Sequence, residues 1–421
     1  MKISTFAATV CALAPALAAA SLLLAAAGVR AAPLTFDEAV ELAVRTAPSL
    51  QARRMDVAAA GSAAIAAGRL PDPKLRLGLD NFPVSGPPAG TFGGDSMTMA
   101  SVGLTQAVPN GARRRAERER ARADTAAARS GRAIETLHVR LDTALAWVDL
   151  YYAERRLAAL GEVAKAIAPL RASAPAGLAA GTLRPAQALT PRQLFAALDD
   201  QRDDLVAAVA TARAQLVRWT GDPQAEVAGA PPSMRIDAAR LRADLDRNPT
   251  LLAYGPKQRQ ADADLDAARA ARRPDWSFDL AYQHRGAMWG DMVSLGASVS
   301  LPLFARTRQD PIIAARAETA ASVRVEREAA RRALEAQFDA DLADHVMHHD
   351  LMLRARSTLV PLARERANLE TSSYGAGTAS LSDVLQAFLA LAQTQVEAID
   401  READAARDAV RINFTYGADP P

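Results

Sequence analysis

The sequence predicts a mainly α-helical protein with a small β part, built as two internal repeats, each a helix, a strand pair and a long helical hairpin. Three observations carry that expectation. Alanine fills 99 of 421 positions, in long stretches free of Gly and Pro that favour extended helices. The apolar period changes from 3.6 to 2 in two short zones of the chain. The same short words recur in the same order about 200 residues apart, the signature of a duplicated unit. With half the residues apolar, the chain is not of the disordered class.

Residues 1–31 read as a secretory signal: Lys2, an Ala/Leu-rich apolar region, then Val29-Arg30-Ala31 as a small-residue cleavage site, so the mature chain is expected to start at Ala32. Cys11, the only cysteine, falls inside that segment, which leaves the mature chain no disulfide, thiolate metal site or cysteine nucleophile. Lys+Arg number 50 against 48 Asp+Glu, and removal of Lys2 and Arg30 brings the two to 48 each. A neutral exported chain has no bulk footprint for nucleic acid. Beyond residue 31 no apolar run reaches 18 residues, so a membrane could be crossed only by a closed barrel of strands.

Four anchors define the repeat. Ala47-Pro48-Ser49-Leu50 recurs as Asn248-Pro249-Thr250-Leu251, Leu70-Pro71-Asp72 as Arg273-Pro274-Asp275, Ser101-Val102-Gly103 as Ser294-Leu295-Gly296, and Ala180-Gly181-Thr182 as Ala376-Gly377-Thr378, at offsets of 201, 203, 193 and 196. The first repeat is placed at 32–235 and the second at 236–421.

Each repeat opens with a helix, about 36–68 and 242–272; Thr35 and Glu38 supply a capping box for the first. Pro71 and Pro274 end these helices, and two-faced strands follow at about 75–83, 97–108, 275–284 and 292–301. Trp276, Phe278, Leu280 and Tyr282 alternate with Ser277, Asp279, Ala281 and Gln283, as Leu75, Leu77 and Leu79 do with Arg76, Gly78 and Asp80. Strands of about 9 to 12 residues have the length that crosses an outer membrane when tilted. Four strands cannot close a barrel, for which about eight is the minimum, so closure requires other chains.

After Pro109 and Pro302 come long charged helices, Gly111 to about Ala174 and Ala305 to Ser373, roughly 95 and 100 Å at 1.5 Å per residue. Ile134, Leu137, Leu141, Leu145, Val148 and Tyr152 form a coiled-coil seam on the first. The tips fall at about 175–183 and 374–380, and return helices of roughly 50 to 60 Å run from about 183 to 220 and 380 to 412. Return and opening helices stacked end to end equal one long helix, which implies a hollow cylinder with a belt near Trp219 to Pro232.

His345, His348 and His349 lie three and four residues apart on one helical face beside Met347 and Met352, a set whose imidazole and thioether groups suit copper or zinc; the competing reading is a polar patch in a helix seam. A phosphate-binding Gly loop and a His-Glu zinc motif are missing, so neither an enzyme nor a cofactor is expected.

Taken together, Leu34-Thr35-Phe36-Asp37-Glu38-Ala39 with Pro48, the repeated strand pairs, and Tyr374-Gly375-Ala376-Gly377-Thr378-Ala379-Ser380-Leu381-Ser382-Asp383-Val384-Leu385 make the whole mature chain resemble the TolC-like outer-membrane efflux factors. The resemblance implies a homotrimer with a 12-stranded β-barrel continuous with a periplasmic α-barrel, set in outer-membrane lipid. It also implies docking on a periplasmic adaptor and an inner-membrane pump, RND type, as partners. Leu70-Pro71-Asp72-Pro73, Asn81-Phe82-Pro83 and Asp95-Ser96-Met97-Thr98-Met99 look most like the heavy-metal efflux branch, with multidrug efflux or type I secretion as alternatives inside the fold and a soluble periplasmic coiled-coil scaffold outside it. By the same resemblance Tyr374 matches a gating tyrosine, Gly181, Thr182, Gly377 and Thr378 form the periplasmic tip, and Asp383 matches a pore-selectivity aspartate. Ala379, Gln187 and Gln386 depart from the charged residues of that pattern, so a salt-bridge lock is not expected.

Overall fold

The structure, a computed structural model, describes residues 33–172 and 189–417. The signal segment and the first hairpin tip, with Gly181, Thr182 and Gln187, lie outside the described residues.

Thr35 caps the first helix, α1 (Phe36–Thr46): its hydroxyl accepts from the Glu38 amide while the Glu38 carboxylate accepts from the Thr35 amide at 2.9 Å. The sequence-based reading of one opening helix to about Gly68 is corrected. Pro48 lacks an N–H and pushes the residue before it out of the α region, so Ala47 takes ψ 121° and a second helix, α2 (Pro48–Ala66), begins there. Beyond α3 (Gly111–Ile167) and α4 (Leu189–Thr220), the second repeat breaks at the matching place, with α5 (Ala238–Asp244), α6 (Pro249–Leu252) and α7 (Tyr254–Ala270) in place of one helix. Asn248 secures that break, accepting from the Thr250 amide at 2.9 Å and donating to the Thr415 carbonyl at 2.7 Å.

The strands β1 (Lys74–Asp80), β2 (Met99–Val108), β3 (Trp276–His284) and β4 (Met292–Val299) form one antiparallel sheet in the order β1-β2-β3-β4. The two repeats are therefore joined edge to edge through β2 and β3. β1 stops at Asp80 instead of running to residue 83, because Asn81 takes a positive φ of 56° and closes the hairpin, donating to the Met97 carbonyl at 3.3 Å and accepting from the Thr98 hydroxyl at 3.1 Å. At seven residues β1 falls short of the usual 9 to 11 for a tilted spanning strand.

The long helices are α3 (Gly111–Ile167), α4 (Leu189–Thr220), α8 (Ala305–Arg354), α9 (Val360–Gly375) and α10 (Leu381–Tyr416). α3 alone covers 57 residues, about 86 Å. It runs through both halves of a row of helices. On the strand side the order is α2, α3, α7, α8; on the tip side it is α4, α3, α10, then α8 and α9. Because α3 has neighbours on both flanks, it is buried beyond the single seam that the sequence suggests: Val139, Ala144, Trp147 and Leu150 are enclosed together with Val148 and Tyr152.

The main core lies where α1, α3, α10 and the end of α4 meet. Phe36 packs edge-on against Trp147 and Phe414 at 5.6 and 6.1 Å, and the Trp147 indole donates to the Leu34 carbonyl at 2.9 Å. Leu34 also pairs with Val227, which ties the segment after α4 to this belt. A second core, with Leu160, Ile167, Phe195, Leu198, Leu381 and Leu385, fills the tip side.

Candidate functional site

The sheet has two chemically distinct faces in register. Leu75, Leu104, Leu280 and Leu295 stand side by side across all four strands, as do Leu77, Val102, Tyr282 and Val293. The alternate face carries Lys74, Thr105, Asp279 and Gly296 in one row and Arg76, Gly103, Ala281 and Ser294 in the next. Thr105 donates to Asp279 at 2.5 Å, and Ser294 to Gln283 at 3.0 Å. The apolar rows are open to solvent in the single chain, with Leu280 at 49% and Leu295 at 82% exposure. Neither β1 nor β4 has a partner on its outer edge among the described residues. An apolar face of this extent combined with two open edges is an aggregation hazard unless lipid and further strands cover it.

The helical flanks repeat that pattern. On α8, Val325, Val346 and Leu353 are exposed at spacings of 21 and 7, and on α9 Leu362 and Leu369 at a spacing of 7. At the opposite flank Met55 and Ile65 of α2 and Leu189 and Val206 of α4 are exposed as well.

At the described tip, α9 ends in a turn in which Gly377 takes φ 77°, a conformation open to glycine at no steric cost. The Thr378 amide and hydroxyl both donate to the Ser373 carbonyl, at 2.9 and 3.0 Å. Tyr374 is half-buried, its ring packed into the tip-side core with Leu381 and Leu385. Asp383 is exposed and occupies the third position of α10, where its carboxylate accepts from the Ser380 amide at 2.8 Å and hydroxyl at 2.7 Å while the Ser380 hydroxyl accepts from its amide. The Ser380 hydroxyl, followed by its backbone amide, holds the Asp383 carboxyl below its ordinary value. Gln386 is exposed one turn on.

The three histidines do not come together as one ligand set. Their common helical face meets α10. His345 is buried, and its Nδ1 has no hydrogen-bond partner among the described residues. His348 turns to Asp408 of α10 at 2.6 Å, and the His349 ring lies 6.0 Å from that of His345. Burial pushes the His345 imidazole below its ordinary value, against the opposing pull of Asp408. Among the described residues no group of three or more His, Asp or Glu side chains is arranged to hold a metal ion. Asp408 and the neighbouring pair in which Tyr416 donates to Asp341 at 2.7 Å escaped the sequence reading, since nothing local to residues 341–349 points to a partner some 60 to 75 positions away.

Among the described residues no helix is long and apolar enough to cross a membrane. No family model matches the chain, and no curated protein matches it by sequence. Solved structures do. A membrane protein from Pseudomonas aeruginosa superposes with a TM-score of 0.77 at 16% identity, over 91% of this chain and 90% of that one. The CmeC outer membrane channel of Campylobacter jejuni gives 0.76 at 13% identity, over 91% and 85%. CusC, a protein whose structures describe transmembrane channel formation, gives 0.74 at 14% identity, over 91% and 92%. Identities this low speak for architecture, and in architecture the agreement spans nine-tenths of the chain: the protein has the fold of the TolC-like outer-membrane efflux channels.

Proposed function

We propose that the chain is the exit duct of a tripartite efflux pump, a passive outer-membrane channel with a periplasmic extension, assembled as a homotrimer. The sheet carries this reading: one continuous apolar face lies exposed, the other face is polar, mostly small with Lys74 and Arg76 on β1, and both edges are open among the described residues. Three copies joined edge to edge give twelve strands, enough to close a barrel whose apolar face meets lipid and whose Ser, Thr and Asp face lines water. The exposed apolar residues of α8 and α9 then meet those of α2 and α4 in the next copy, a head-to-tail contact that closes into a ring.

In this duct the tips formed by Gly181 and Thr182 and by Gly377 and Thr378 narrow the periplasmic mouth with Tyr374, and three copies of Asp383 draw cations towards the axis. The capping role of Asp383 is compatible with that, because both bonds from Ser380 fall on one carboxylate oxygen, Oδ2. Heavy-metal cations are the favoured cargo on the strength of the segments around Pro71, Phe82 and Asp95. A periplasmic adaptor and an inner-membrane RND pump complete the assembly.

Membrane fractionation and planar-bilayer recording test the duct: it should be recovered from the outer membrane as a heat-resistant trimer and conduct ions. A soluble monomer without conductance would overturn it. For the cargo, a deletion strain should lose tolerance of copper, silver, cobalt, zinc or cadmium; loss confined to dyes and antibiotics would move the substrate to the multidrug class.

A further inference from the structure

A cleft of about 510 Å³ opens where α3, α10 and the junction of α8 with α9 meet beside Met234 of the loop that precedes α5. The junction is itself unusual. Residues Ala355–Leu359 form a π-helical turn in which the Val360 amide reaches back to the Ala355 carbonyl, and Pro361, which follows, has no N–H to continue an α pattern. Inserted turns of this kind are frequent at functional sites. Here the widened turn sets Arg356 and Val360 at the wall of the cleft.

The lining is amphipathic. Met234, Met352, Val360 and Ile399 give an apolar floor. Of the charged groups, Glu402 is already bound to Arg155 at 2.6 Å and to the Tyr152 hydroxyl at 3.3 Å. Arg356 has no ion-pair partner among the described residues. One uncompensated guanidinium beside an apolar floor, in a volume within the usual range of small-molecule sites, matches a ligand with a single anionic head and a compact apolar body. We infer that this cleft is a binding site for an amphipathic organic anion, with Arg356 holding the carboxylate or sulfonate and Met234, Met352, Val360 and Ile399 receiving the apolar part. The site rests on the duct reading only for its lipid setting: every residue in it comes from one chain, so it is complete without a second copy.

The test uses the full chain in lipid nanodiscs and 1-pyrenebutyrate as the probe, followed by equilibrium dialysis against protein-free discs. The wild type should bind saturably, at one site per chain. Arg356→Gln should weaken binding about tenfold or more, the loss of one charge-assisted hydrogen-bonded contact, while Arg356→Lys retains most of the affinity. Ala398→Trp, which fills the cleft, should abolish binding, and neutral 1-pyrenebutanol should bind far more weakly than the acid. Arg356 is exposed and Ala398 half-buried, so both variants should assemble. The proposal is overturned if the wild type shows no saturable binding above empty discs, if Arg356→Gln and Ala398→Trp bind as the wild type does, or if the alcohol binds as tightly as the acid.

Discussion

Trp147 and Trp276 are the same side chain in opposite circumstances. Trp147, at the centre of the belt, is 0% exposed and hydrogen-bonded to Leu34, whereas Trp276 on β3 is 47% exposed and stacked on Phe278. The contrast extends to their neighbours, since Phe414 is buried and Phe278, Leu280 and Leu295 are not. In the belt the chain covers its own apolar surface. In the sheet it leaves that surface for something else to cover, so the two regions should respond differently to the same kind of substitution.

The largest effect is expected in the belt. Trp147→Ala removes a fully buried ring and its bond to Leu34, and should cost about 3 to 5 kcal/mol, measured by denaturant unfolding followed by circular dichroism. Trp276→Ala should cost far less in the same assay; an equal loss would erase the distinction between the two regions.

On the sheet the expected effect depends on the face. Leu280→Arg places a charge in the apolar rows and should lower membrane assembly by about 2 to 4 kcal/mol, whereas Ser298→Arg, opposite Ser277 on the polar face, should assemble. Equal failure of both variants in a heat-resistance assay for trimers would break the two-faced reading.

Between these extremes, Tyr416→Phe strips a buried carboxylate, Asp341, of one of its donors and should destabilise by about 1 to 3 kcal/mol. Burial, reinforced by Asp341, pushes the Tyr416 phenol up, so this contribution should not vary from pH 5 to 8.

The smallest effect belongs to the tip. Ser380→Ala removes the cap of α10 and should cost about 1 kcal/mol. Since the folded Asp383 carboxyl titrates below its unfolded value of about 3.9, the stability from this pair is present above that pH and lost as pH falls through the folded value. The variant should therefore lose less stability than the wild type between pH 5 and 3. Asp383→Asn, recorded in planar bilayers, should reduce cation preference with little change in assembly; unchanged selectivity would leave Asp383 as a helix cap alone.

What was legible in the sequence was local. The alternation from Trp276 to Tyr282 fixes a two-faced strand, and the Thr35/Glu38 pair announces a helix start, because the residues that cause these features are within a few positions of one another. The breaks at Pro48 and Pro249 were present as words but not as breaks: a proline at the first turn starts a helix as readily as it interrupts one. The histidines show the opposite limit. Their spacing put them on one face, but His348 is turned by Asp408 and His345 by the backbone of α10, partners far away in the chain.

The pairing of β2 with β3 carries a consequence for how the molecule comes into being. Val108 faces Trp276 and Ala100 faces His284, partners about 170 to 180 residues apart along the chain. Local helices can form within microseconds, but this union waits for two distant segments to meet, so the sheet belongs to the slow end of folding. Until then both strand hairpins travel with bare edges and bare apolar faces, a state prone to collecting other chains. A strand pairing of this kind prolongs the exposure of apolar surface for as long as the two repeats take to find each other.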